Sequence, residues 1–368
     1  MLNTPSVRTV LGDIPAATLG HTQPHEHVLS DFSAVIGPTR LTPTDPSVTK
    51  DAIPSEWPAS KRALVDAPVT IENHDWVKRN VVNRDNLQMT DVRLAIEELA
   101  LYKAAGGETV VDSTSVGLGR DPNGLARVSR ATGVNIVMGS GYYARDWHPQ
   151  GLTELTVDQI RDEVIHDVEI GVGTTGIRAG IIGEIGLSWP VDEVEDRVLR
   201  ASAQAQVATG AALQIHPGRE PESCIDAVKK IVAAGGDPRR TIMSHIDRTI
   251  FELDQMKELA ATGCVLELDL FGQESSYYAF NPAARRPNDA TRIEWLQALI
   301  EAGHGEQLVI SQDICQKVYL HRFGGPGYAH ILDNVIPLMR TMGMSEDTIT
   351  LLTRGNPARL LALTKDAT

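Results

Sequence analysis

Cysteine is scarce in this chain of 368 residues: Cys224, Cys264 and Cys315 are the full set. Their wide intervals offer neither a dense disulfide framework nor the paired CxxC knuckle of a zinc module, so a reducing compartment is expected. Long apolar runs are missing too. None approaches the roughly 18 residues that a membrane helix needs, and the opening stretch MLNTPSVRTVLGDIPAATLG has no basic segment leading into a sustained apolar one. The reading is a soluble, cytoplasmic protein with no membrane partner. Positive charge is in deficit, with 34 Lys and Arg against 48 Asp and Glu for a formal net charge of −14. That argues against a nucleic-acid partner, although a local basic pocket for an anionic metabolite stays compatible with it, because focusing depends on the charges around one cleft. No dinucleotide fingerprint is complete: Gly117 and Gly119 in VDSTSVGLGRDPNG suit a sharp turn about as well as a phosphate cradle.

What the chain does have is alternation. Short runs rich in Val and Ile are separated by longer segments of helical period, a pattern that favours parallel β/α construction. Strands are predicted near 18–25, 109–112, 134–139, 180–184, 211–216, 241–245, 263–268 and 307–312, and eight of them invite a closed barrel. Val92, Ile96, Leu99 and Tyr102 share a helical face ahead of Gly106 and Gly107. Val194, Val198, Ala201 and Ala205 do the same before Gly210, with Asp192 and Glu193 at the positive N-terminal end. Further helices are expected near 152–171, 220–235, 251–262, 289–302 and 328–342, and NPARLLAL suggests a short closing helix. Residues 30–84 break the pattern with Thr, Pro, Asp and Asn, which predicts a folded flap or local helices after strand one. The fold class expected is α/β, a (β/α)8 TIM barrel with an extended loop after strand 1. Such a barrel takes roughly 250 residues, so one domain over 1–368, with an N-terminal extension, the insertion and a C-terminal helical cap, accounts for the length.

Chemistry gathers at the strand ends. In GHTQPHEHVLSD, His25 and His27 stand two positions apart, so both can face one side of a strand. Later strand ends supply Glu184 in IIGEIG, His216 in LQIHPG, His245 in IMSHID and Asp313 in ISQDI. Residues at the C-terminal ends of parallel barrel strands converge on one mouth despite their sequence distance. Neutral imidazoles suit borderline divalent metals, and a carboxylate can bridge two ions, so two divalent cations, zinc fitting best, are expected. His25, His27 and Asp313 are assigned to one, His216 and His245 to the other, with Glu184 and a hydroxide between. Asp313 is also expected to move the proton toward the leaving group.

The ordered set HxH, GEIG, IHPG, SHID and SQD resembles the phosphotriesterase-related branch of the amidohydrolase superfamily over residues 18–357. That resemblance implies a TIM barrel with a binuclear metal centre, the six residues just named as its ligands, and a possible homodimer. Organophosphate-degrading members carry a carboxylated lysine where Glu184 stands here, which weighs against phosphotriester hydrolysis. The expectation is a binuclear zinc hydrolase of a small carboxylic ester or lactone; the alternatives are an amide or phosphorylated ester, or a metal-containing binding protein without turnover. For the substrate, GSGYYARDWHP offers Tyr142 and Tyr143, with Trp147 as loop packing, and CQKVYLHRFGGPGYAH offers Lys317, His321 and Arg322, of which Arg322 is preferred as the cation for an anionic group. FGQESSYYAFNPAARRPNDA, with Arg285 and Arg286, is a candidate substrate mouth.

Overall fold

The computed structural model describes residues 5–36, 57–80, 82–274, 278, 281 and 284–364. A hairpin of β1 (Ser6–Thr9) and β2 (Gly12–Pro15), absent from the sequence reading, precedes β3 (Thr22–Glu26). The short strands β4 (Ser30–Asp31) and β5 (Gln88–Met89) pair antiparallel and frame the insertion, which holds helices α1 (Ala59–Arg62) and α2 (His74–Asn80). The flap predicted over 30–84 is thus folded in part, and its stretch 37–56 lies outside the described residues.

The barrel then alternates as expected: α3 (Val92–Ala104), β6 (Thr109–Asp112), α4 (Pro122–Thr132), β7 (Asn135–Ser140), α5 (Val157–Glu169), β8 (Ile181–Gly186), α6 (Glu193–Thr209), β9 (Ala212–His216), α7 (Pro221–Ala233), β10 (Thr241–Met243), α8 (Ile246–Thr249), α9 (Leu253–Ala261), β11 (Val265–Leu268), α10 (Asp289–Glu301) and β12 (Leu308–Ile310). Eight of these strands, β3 and β6 through β12, form one parallel sheet in chain order. Helix α4 was not anticipated, yet its signals are ordinary ones. The Asp121 carboxylate accepts from the Gly124 amide, Pro122 occupies the first turn, and Gly133 ends the helix at φ 69°.

Closure joins the two ends of the sheet. The Asp313 amide donates to the His25 carbonyl at 3.1 Å and the His27 amide to the Ile314 carbonyl at 3.2 Å. Glu26, whose side chain points away from those of its two histidine neighbours, accepts from the Ser311 hydroxyl at 2.8 Å and from the Gln312 and Ile314 amides at 2.9 Å each. Inside the barrel floor, Val111, Val137, Ile181, Ala212, Ile242, Val265 and Val309 each come from a different strand. Val7 of the hairpin and Leu360 and Leu361 of the closing helix (Asn356–Leu361) seal that layer from below. The opposite end is left to polar groups. No helix of the described residues is long and apolar enough to cross a membrane.

His21, just before β3, makes the fold sensitive to acid. Its Nδ1 lies 3.0 Å from the Tyr102 hydroxyl, and burial, reinforced by the Arg354 charge, lowers its pKa from 6.5 to about 4. Between those values the folded chain binds fewer protons than the unfolded chain. This contribution is therefore complete above pH 6.5 and is lost as pH falls toward 4. The expected loss is roughly 3 kcal/mol over that window. Urea unfolding of the native chain and of His21→Gln checks it: the variant should show the shallower pH dependence by that amount, and parallel profiles would contradict it.

Candidate binuclear metal centre

All six predicted ligands meet at the C-terminal mouth. His27 Nε2 lies 3.3 Å from Glu184 Oε1 and 3.5 Å from Asp313 Oδ1; His25 Nε2 lies 3.6 Å from Glu184 Oε2 and 3.8 Å from Asp313 Oδ1. On the other side of Glu184, His216 Nδ1 is 2.8 Å and His245 Nε2 is 3.1 Å from Oε2, and these two nitrogens are 2.8 Å apart. Donors around a cation with bonds of about 2.1 Å sit roughly 3–3.6 Å from one another, and the separations here run from 2.8 to 3.8 Å about that range, so both clusters are close to the spacing of ligand shells sharing Glu184. His25 Nε2 is buried with no hydrogen-bond partner, which a cation would supply. The donor set of imidazoles and carboxylates suits two divalent metals, and the chain carries a binuclear metal-binding site.

The ring nitrogens that face away from this cluster are held in place. His27 Nδ1 meets the Thr114 hydroxyl at 2.9 Å; His245 Nδ1 meets Asp269 Oδ1 at 3.0 Å, and the His245 amide donates to the same carboxylate. His25 Nδ1 lies within 3.2 Å of Ser244, Glu267 and Asp269 oxygens. A proton fixed on Nδ1 leaves Nε2 free as a ligand, the usual arrangement behind metal-bound histidines. His216 is turned the other way: its Nδ1 faces Glu184 and His245, at 2.8 Å from each, and the Arg248 guanidinium lies 3.0 Å from Nε2. Burial lowers the His216 pKa, with the His245 and Arg248 charges adding to it and Glu184 opposing, so the ring stays neutral. For Glu184 burial raises the pKa, but the surrounding His216, His25 and His245 rings outweigh it through hydrogen bonds and the charge they share, holding the carboxylate well below its usual range. Burial instead dominates at Asp313, which is pushed up to about 6. His245 and Asp313 both adopt left-handed backbone, at φ 56° and 48°, a conformation that costs non-glycine residues free energy and clusters at functional sites.

Asp269, Glu267 and Arg248 escaped the sequence reading. Their signal was present: Glu267 and Asp269 interrupt an apolar strand in VLELDLF at period two, and so lie on the inward face with the ligands.

A cavity opens above the site, lined among others by Phe32, Tyr143, Trp147, Leu187, Leu270 and Cys315. Tyr143 stands against the site, its hydroxyl 3.1 Å from His216 Nδ1 and its ring edge-on to His216 and Trp147. The structure does not bring Tyr142 there. Adjacent residues in extended chain point to opposite faces, and the Tyr142 hydroxyl donates to Glu163 on the outer side of the barrel. Arg322 is also elsewhere, 64% exposed and 3.6 Å from Glu97, because the backbone of its turn is pinned by Glu98, which accepts from the His321 and Arg322 amides. Lys317 is paired with Asp85, and Arg120 with Asp167. The predicted mouth after β11 does contribute, through Tyr278 and Arg286; Ser275–Tyr277 within it lie outside the described residues.

Comparison with known proteins agrees with this geometry. The pattern of the phosphotriesterase family matches residues 5–361. A protein of Xenopus tropicalis named N-acetyltaurine hydrolase is 38% identical over 357 residues, covering 96% of this chain and 97% of its own. One of the same name from Dictyostelium discoideum is 43% identical over 303 residues, 82% of each chain. Among solved structures, a resiniferatoxin-binding protein from Rhodobacter sphaeroides superposes with a TM-score of 0.89 at 31% identity, covering 99% of this chain and 97% of that one.

Proposed function

The chain belongs to the phosphotriesterase family and is a metal-dependent hydrolase, and from that premise we propose that it cleaves the amide bond of a small N-acylated amine, with two zinc ions. The near full-length likeness to hydrolases of N-acetyltaurine carries this reading. It favours the amide over the ester or lactone expected first from the sequence.

The residues present can divide that work. Bound divalent cations lower the pKa of a water molecule and polarise an acyl oxygen. Asp313, the ligand whose carboxylate is partly open to the cavity, takes the proton from the attacking water and passes it to the departing nitrogen, which leaves as the free amine while the acyl carbon gains the hydroxyl. Burial, then the nearby Glu184 charge, raises the Tyr143 pKa well above its usual value. Tyr143 thus stays a neutral hydroxyl, able to donate to an oxygen that gains charge. Phe32, Trp147 and Leu187 exclude water around the acyl group.

The test is turnover of N-acetyltaurine, its O-acyl ester analogue, a lactone and a phosphotriester by native, chelator-treated and zinc-restored protein. Amide cleavage that disappears on chelation and returns at about two zinc ions per chain is expected. Turnover confined to the ester or lactone would overturn the amide assignment.

A further inference from the structure

The upper wall of the cavity carries charge of the opposite sign to the chain. Arg219 comes from the loop after β9, Arg286 from the loop after β11 and Lys78 from α2 in the insertion, and all three line the cavity. The two guanidinium groups flank one ring: the Arg219 and Arg286 Cζ atoms lie 5.3 and 5.0 Å from the Tyr278 centroid, and Arg219 donates to the Tyr278 hydroxyl. Arg286 is further held by a 3.1 Å bond from Nη1 to Gln273 Oε1, while its Nε is buried with no hydrogen-bond partner among the described residues. Lys78 Nζ sits 5.9 Å from the Tyr319 centroid. Burial and then the Arg286 charge lower the Lys78 pKa, so these two cations are close enough to repel. The carboxylates lining the cavity are Asp146 and Asp313, and Asp313 is turned toward His25 and His27, 3.8 and 3.5 Å from their Nε2 atoms. Like charges gathered on a half-buried wall of a chain with net charge −14 lower in energy when an anion sits between them, and a guanidinium with an unused N–H presents the fork that an oxyanion fits.

We propose that Arg219, Arg286 and Lys78 form an oxyanion subsite that selects substrates whose amine portion ends in a sulfonate or carboxylate. The proposal rests on the amide-hydrolase reading for what is cleaved, but not for whether the anion binds. The acyl group then lies toward Tyr143 and the metal cluster, and the acidic end toward Tyr278. Arg322, the cation preferred from sequence, has no part in it.

Two measurements on the zinc-loaded enzyme test this separately. The first compares kcat/KM for N-acetyltaurine, N-acetyl-β-alanine and the uncharged N-propylacetamide. Native enzyme should prefer the better anionic substrate by about 100-fold, and Arg286→Met or Arg219→Met should each cut that preference by about 10-fold or more, chiefly through KM. Arg286→Lys, which keeps the charge without the fork, should recover part of it, and Arg178→Met, a half-buried residue paired with Asp13, should not change it. The second titrates ethanesulfonate and propionate calorimetrically into the same proteins. Affinity for one of these anions should fall about 10-fold in the Met variants, and the anion bound more tightly by the native protein identifies the acid. A preference and an anion affinity both unchanged in Arg286→Met and Arg219→Met would overturn the subsite. If no amide is cleaved while anion affinity still falls in the variants, the subsite stands and the amide reading fails.

Discussion

Replacing Asp313 by Asn is expected to lower kcat for amide cleavage by roughly 10²–10⁴-fold, the usual contribution of a placed proton acceptor, with KM changed far less. The amide is nearly isosteric, so an oxygen still faces His27 Nε2, 3.5 Å from the native Oδ1, but it no longer accepts a proton at neutral pH. Asp313 also stands beside the His245 ring, its Oδ2 3.8 Å from Nδ1. The measurement therefore pairs single-turnover kinetics with zinc content. Two metals retained and a slow chemical step assign the proton transfer to Asp313; kcat within tenfold of native would remove that role.

A large loss of stability is expected at Arg292. This side chain is fully buried on α10, its Nε donating to Asp247 Oδ2 at 2.6 Å and its Nη1 to Asp289 Oδ1 at 2.8 Å. Asp289 also accepts from the Gly272 amide and from His330. Arg292→Met keeps most of the volume and strands two buried carboxylates, a change that typically costs about 3–5 kcal/mol. Asp247 follows His245 by two residues, and its carboxylate also receives the Leu270 amide, so the turn that presents His245 should loosen with it. Urea unfolding of the metal-free variant measures the first effect and zinc affinity the second. A midpoint equal to native would show that the pair is replaceable by packing.

Legibility in the sequence followed physical rules that act locally. The barrel strands showed because each is an apolar segment bounded by turns, and the candidate ligands showed because each interrupts such a segment at its C-terminal end, where a barrel has only one mouth. Tyr142 and Tyr143 mark the limit. One step along extended chain exchanges the cavity for the outer surface, and no neighbouring residue in the sequence fixes which of the two turns inward; the structure shows Tyr143 against His216 and Tyr142 on Glu163. Arg322 and Arg286 differ in the same way, through the tertiary anchors of their loops, Glu98 for one and Gln273 with Tyr278 for the other. Asp269 and Glu267 showed their inward face in the sequence but not their role, because their partners are ring nitrogens more than 20 residues away.

Glu26 couples two events that could have been separate. The tripeptide that presents His25 and His27 is also the strap that holds Ser311, Gln312 and Ile314 around Asp313. The last barrel strand cannot dock without engaging the first through Glu26, and the same docking brings Asp313 beside His25 and His27. Closing the ring of strands and completing that side of the site are therefore a single event.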